Sequence, residues 1–371
     1  MAEPVKCNVS LQELEKYRDK EGFINLDELN LELTEASREK VGNEDRIKNW
    51  VDFAGTEVLI KGECESVLDN KRNAQIYAEL IVEELAKQAG FDAAYYDLIK
   101  INGKAGVLSK KMLQKEEVDL ITLYSLIGDT QINEEYPDKS DYIEVEEKLY
   151  NVLKEEGMNK KDIMKIIKEY RKQTAFFIMV SSLDRHAENV SFLSYINHET
   201  NKKELRLSPI YDNESSLMLD IDLETLEKRV KDGLGLQKDV DALEPKIAVL
   251  DGEYESPWKD TLELLCDDEE VYDFIMDCCD NLNIEKAIEQ VGRKIKAPVP
   301  EIVKTTATYV FQFRKNAIKE IIYPQVEDIG ISYTEGIINK SINEEIRQGE
   351  EDEILRKLFH MFEIGENNYQ K

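Results

Sequence analysis

Apolar positions in the first half of the chain recur every two residues in some stretches and every three or four in others, and the change of period marks out the elements. Thr56-Glu-Val-Leu-Ile-Lys61 is short, β-branched and bounded by Gly55 and Gly62, which predicts a strand. Ile76, Tyr77, Leu80, Ile81 and Leu85 then fall at helical spacing and predict a helix over about 73–89, ended by Gly90. Two more strand-like runs, 95–101 and 105–109, flank Asn102-Gly103. Asn-Gly between apolar runs is the strongest short hairpin signal, because both residues tolerate the left-handed backbone of a tight turn. Together these elements predict a small sheet carrying one helix.

The polar stretch 128–141 reads as a connection to a second, mostly helical region. A helix over about 143–156 stops near Gly157. Asn159 can cap the next, which runs through Ile163, Ile166, Ile167, Tyr170 and Phe177. The helical period then breaks. Residues 190–196 and 204–210 are two strand-like runs joined by the polar loop 197–203, and beyond about 220 the pattern is helical again up to a tail near 325–371. Residues 1–45 are polar and read as two short helical pieces. Within them Asp19–Glu28 resembles an EF-hand loop, with Gly22, Ile24 and Glu28 at positions six, eight and twelve if the loop starts at Tyr17. Tyr17 supplies no carboxylate for the first position, so the segment is read as a turn.

The 371 residues are 42% apolar and 8% aromatic, enough for a sizeable core in two domains or one two-lobed fold. Charge narrows the partners. Against 49 basic side chains stand 78 acidic ones, a formal net charge of −29. Such a chain is repelled by nucleic-acid phosphates and anionic lipid, so no direct nucleic-acid or membrane contact is expected, and its macromolecular partners should be basic or neutral. Residues 212–270 carry 19 acidic and 6 basic side chains, a net of −13, which reads as solvated helix faces or as a docking surface for a basic protein. The five cysteines (Cys7, Cys64, Cys266, Cys278, Cys279) are odd in number and lack metal-ligand spacing, as expected of reduced thiols in the cytosol. The N-terminus has no signal-peptide core, and the longest apolar run, about ten residues over 174–183, is too short to span a bilayer. A soluble cytoplasmic protein is the expectation.

Chemistry concentrates in Asp184-Arg-His186-Ala-Glu-Asn189 and, after the predicted hairpin, Ser208-Pro-Ile-Tyr211-Asp212-Asn213. Pairing 190–196 with 204–210 sets Asn189 and Asp212 side by side, with Asp184 on the entering loop. That set suits phosphoryl transfer. Magnesium takes oxygen ligands, which Asp212 and Asn189 would supply together with phosphate. Asp184 would orient the attacking hydroxyl and accept its proton, and Lys61 on the small sheet would reach the α- and β-phosphates of ATP. His198 and His360 lack metal-ligand spacing and read as solvated.

The pattern D-x-H-x-x-N, then a hairpin, then P-x-Y-D resembles the HipA-type kinases, a divergent branch of the protein-kinase-like fold. The resemblance extends to Lys61 on its strand, the helix with Tyr77-Ala-Glu79 and the strand Gly106–Ser109, and spans about 46–330. It implies an α+β, two-lobed kinase-like fold: an N-terminal helical extension over 1–45, a sheet-plus-helix lobe over 46–125, a larger helical lobe with the catalytic hairpin over 126–330, and a helical tail over 331–371. It further implies Asp184 as catalytic base, Asn189 and Asp212 as magnesium ligands, Lys61 as the phosphate lysine, and His186 and Tyr211 near the nucleotide. The implied reaction is ATP- and Mg2+-dependent transfer of the γ-phosphoryl group to a hydroxyl, Ser or Thr of a protein.

Family analogy would pair Glu79 with Lys61. Glu79 lies off the Tyr77–Leu80–Ile81 stripe, however, on the more polar helix face, so a solvated glutamate is an equal reading and Glu79 is not counted among the site residues. D-R-H-x-x-N also occurs in phosphoinositide kinases, which continue to D-F-G, so a lipid or small-molecule kinase is one alternative and a nucleotide-binding module without turnover another. No G-x-G-x-x-G loop is present; Gly42 and Gly55 are the nearest candidates for covering phosphates. The self-phosphorylated serine motif and full N-terminal module of the better-known toxins are not recognisable, which leaves toxin action and an antitoxin partner open.

Overall fold

A computed structural model of the chain describes residues 4–31, 40–41, 44–45, 48–62, 74–112, 118–128, 141–197, 202–221, 223–232, 238–240 and 257–323. The predicted tail over 331–371, most of the connection 128–141, Gly42, Cys64, His198 and His360 lie outside them.

Strands alternate their side chains between two faces, and the sheet of the first lobe uses both. Its order is β1 (Val5–Cys7), β5 (Lys48–Phe53), β6 (Thr56–Gly62), β8 (Lys104–Lys110), β7 (Tyr96–Ile101) and β2 (Ile24–Asn25). A short ribbon, β3 (Lys40–Val41) with β4 (Glu44–Asp45), precedes β5. Val58, Ile60, Ile99 and Leu108 join a core with Leu14 and Leu26, whereas Leu98 and Val107 face helix α1 (Gln75–Gln88). The predicted hairpin forms with Asn102 and Gly103 both at positive φ (52° and 71°).

Residues 1–45 depart from the expected helical extension. β1 and β2 add parallel strands to the two edges of the sheet, and the helical pieces among the described residues are single 3-10 turns, Glu13–Tyr17 and Leu26–Leu29. Two- and three-residue strands are too short to show a period in sequence. The Asp19 segment is a turn: its carboxylate accepts from the amides of Glu21 (2.9 Å) and Phe23 (3.0 Å) and pairs with Lys100.

The second lobe is helical, with α2 (Leu123–Ile127), α3 (Tyr142–Glu155), α4 (Lys160–Met179), α5 (Leu223–Lys231), α6 (Pro257–Cys266), α7 (Glu269–Asn281), α8 (Ile284–Ile295) and α9 (Glu301–Ile322). Asn159 caps α4 as predicted, its side chain accepting from the Asp162 amide. The long α4 is central, packed by α3, α6, α7 and α9. The second predicted hairpin forms between β10 (Ser191–Asn197) and β11 (Lys202–Leu207), with Phe192 opposite Leu207. A third strand, β9 (Val118–Thr122), extends it and was not evident from sequence. α1 packs against α8, so one helix bridges sheet and helical lobe. Among the described residues no helix is long and apolar enough to cross a membrane, and Cys7, Cys266, Cys278 and Cys279 are free thiols.

Candidate active site

Alternation along β6 places Lys61 on the face that α1 covers. The lysine is 7% exposed. Its ammonium lies 3.2 Å from Glu79 Oε1 and pairs with Asp212 Oδ1. Burial works against the charged amine, but the carboxylates of Asp212 and Glu79 outweigh it, so its pKa stands well above the ordinary lysine value. Across β8, Gly106 passes so close that a Cβ there would overlap the Lys61 carbonyl oxygen. Glycine is required by approach rather than by backbone angle.

Glu79 is the main correction to the sequence reading. It is 1% exposed, bonded to Lys61 and, through Oε2, to the amide of Asn213 (2.7 Å). The polar face of α1 looked solvated because a stripe argument assumes one buried side. Here the sheet covers one side and α8 another, so nearly every α1 residue is buried. Burial first, and then the charges of Asp212 and Glu214, push the Glu79 carboxyl up to about 7, against the lowering effect of Lys61.

The loop 184–189 is organised by Arg185, quoted within the sequence motif but assigned no role there. Its guanidinium is wholly buried. Nη1 donates to the carbonyls of Asn189 and Tyr211 (both 2.7 Å), and Nη2 donates to the Asp212 carbonyl (3.1 Å) and Asn213 Oδ1 (2.7 Å). The cation stands 4.1 Å from the centre of the Phe177 ring on α4. A single planar fork thereby fastens both ends of the hairpin together, which is what the sequence pairing of Asn189 with Asp212 required. Arg185 was legible only as a basic residue between two candidates.

The other predicted residues take distinct places. Asp184 is 46% exposed at its side chain, and its backbone carbonyl accepts from Asn189 Nδ2 at 2.7 Å. The amide nitrogen of Asn189 being used, its oxygen is the atom left to bind a cation. His186 Nε2 lies 3.9 Å from Asp184 Oδ2, and Nδ1 accepts from the Glu188 amide (3.3 Å). Tyr211 is a clasp of the hairpin base, its hydroxyl 2.6 Å from Ser191 Oγ and donating to the Glu188 carbonyl at 3.2 Å. Asp212 adopts a left-handed backbone (φ 57°), a conformation that costs a residue with a side chain about 1–3 kcal/mol and collects at functional sites. Gly55 is excluded as a phosphate-covering residue: Lys48 pairs with Lys61, which puts the β5–β6 turn at the opposite end of both strands.

Carboxylate oxygens of Glu79, Asp212 and Glu214 all lie within 4.8 Å of one another. Three acidic groups around one lysine leave excess negative charge in a partly buried place, and every donor is oxygen. That donor set fits a hard divalent cation such as Mg2+.

Against known families, the HipA-like C-terminal domain matches residues 37–268, and the chain belongs to that family. Its fold is the two-lobed α+β kinase-like one: the structure of the proinflammatory kinase CtkA of Helicobacter pylori superposes with a TM-score of 0.58 at 15% identity, covering 81% of this chain and 97% of CtkA. HipA of Shewanella oneidensis MR-1, solved with HipB and operator DNA, gives a TM-score of 0.46 at 13% identity over 79% of this chain and 67% of that one. No curated protein sequence matches.

Proposed function

We propose that the protein is a kinase that transfers the γ-phosphoryl group of ATP to a hydroxyl, with Ser or Thr of a protein as the acceptor. The observation that carries this reading is the meeting of three elements at Lys61: a strand lysine, Glu79 from 18 residues away and Asp212 from 151 residues away. Such a junction holds an ammonium where phosphate oxygens can replace a carboxylate as its partner.

Asp212 and Asn189 would hold Mg2+, with Glu214 beside them. When bound, the ion offsets the charge of the phosphates, which a chain of net charge −29 cannot do through its own surface. Asp184, exposed at the loop, would accept the proton of an incoming hydroxyl. Arg185 holds the loop that carries it. Catalysis on this reading comes from positioning and electrostatics, without a covalent enzyme intermediate. The acidic balance favours a basic protein acceptor over anionic lipid.

The test is phosphate transfer from ATP to a basic protein acceptor, with and without Mg2+. The expected result is phosphoserine or phosphothreonine formed only with the metal. Transfer to lipid or to a small alcohol in preference to protein would replace the acceptor assignment. Nucleotide binding without any transfer would favour the binding-module alternative.

A further inference from the structure

Glu83 follows Glu79 by one helical turn, so the two carboxylates share a face of α1. Glu83 is also 1% exposed, yet it lies outside the phosphate site. Its Oε1 accepts from Lys87 (2.7 Å), and its Oε2 accepts from Lys294 Nζ (2.7 Å) and from the backbone amide of Tyr96 (3.1 Å). Lys294 belongs to α8 and stands 4.0 Å from the centre of the Tyr95 ring. α8 grips α1 a second time where Gln88 and Asn283 exchange hydrogen bonds of 3.1 and 2.9 Å.

Tyr96 carries this arrangement into the active site. Its ring is 1% exposed, and its hydroxyl oxygen accepts from the amide of Asp212 at 2.9 Å. Asp212 is the residue with the left-handed backbone and the carboxylate on Lys61. The hydrogen bond its amide donates to Tyr96, the one its carbonyl accepts from Arg185 and the side-chain pair with Lys61 fix it from three sides.

We propose that Tyr96 is a positioning residue for Asp212, and that Lys294, acting through Glu83 on the Tyr96 backbone, makes α8 a determinant of the site's affinity for a divalent cation. α8 lies beyond residues 37–268, so this support comes from outside the matched family domain. The inference rests on the kinase reading above, since it assigns Asp212 to a cation.

Mn2+ serves as the probe, its binding measured in the presence of ADP by electron paramagnetic resonance or calorimetry, beside turnover of ATP. Tyr96→Phe keeps the ring and removes only the acceptor for the Asp212 amide. It should weaken Mn2+ binding about 10-fold, the scale set by one buried donor left unsatisfied, and lower kcat while the KM for ATP stays within about 2-fold. Lys294→Met should weaken Mn2+ binding by about 3-fold, with Lys87 still opposite Glu83 to preserve folding. Lys294→Arg should restore it. Thermal unfolding of each variant separates loss of fold from loss of position.

Wild-type Mn2+ affinity and turnover in Tyr96→Phe would overturn the inference while leaving the kinase reading intact. Equal loss in Lys294→Met and Lys294→Arg would overturn the role given to α8. A wild-type protein that neither binds Mn2+ with ADP nor turns ATP over would overturn the kinase reading, and this inference with it.

Discussion

The ammonium of Lys61 lies 3.2 Å from Glu79 Oε1, a contact between a strand and a helix that are both buried at that point. It holds the positive charge of the site against three carboxylates, those of Glu79, Asp212 and Glu214. Replacing Lys61 with Met should therefore do more than remove the proposed phosphate ligand. It leaves buried negative charge uncompensated, with an expected loss of about 3 kcal/mol in denaturant unfolding at pH 8. ATP turnover should vanish in the same variant.

The Glu79 carboxyl gives a pH signature. Burial holds it up to about 7 in the folded protein, against an ordinary value of 4.5. Between those values the folded chain keeps a proton that the unfolded chain has released. Its contribution to stability accordingly falls as pH rises from 4.5 to about 7 and is level above that. The stability of wild type minus that of Glu79→Gln, measured without divalent ions, should decline across this window. A difference that rises there would contradict the assignment of the burial effect to Glu79.

Arg185 makes four hydrogen bonds with a planar fork, and lysine cannot reproduce them. Arg185→Lys should cost about 2–4 kcal/mol of stability. Turnover should fall by more than about 100-fold, because the loop with Asp184 and Asn189 loses its tie to Asp212. Chemical denaturation and steady-state kinetics check the two parts separately.

Gly106 packs against the Lys61 carbonyl oxygen with no room for a methyl group. Gly106→Ala should push β6 and β8 apart at Lys61, with a stability loss of about 1–3 kcal/mol. Weaker nucleotide binding should accompany it, and the same substitution at the open Gly55 turn should leave nucleotide binding unchanged. Calorimetric titration with ADP tests both.

Much of this was legible in the chain. The Asn102-Gly103 turn, the Asn159 cap and the hairpin that follows Asn189 come from local rules, and each formed where its residues predicted. What escaped was decided by tertiary surroundings. Glu79 reads as solvated until α8, some 200 residues later, is known to close the far side of its helix. Tyr96 reads as one apolar position in a strand, and only the fold brings its hydroxyl to Asp212. β1 and β2 are too short to carry a period, and they are strands because the sheet edges accept them.

The central claim is that Asp184 serves phosphoryl transfer at a site built by Lys61, Asn189 and Asp212. Its most direct measurement is Mg2+-dependent γ-phosphate transfer from ATP by wild type and Asp184→Ala, beside nucleotide affinity for both. The expected result is transfer by wild type and a loss of more than about 1000-fold in the variant, with nucleotide affinity retained. Undiminished transfer by Asp184→Ala would contradict the account.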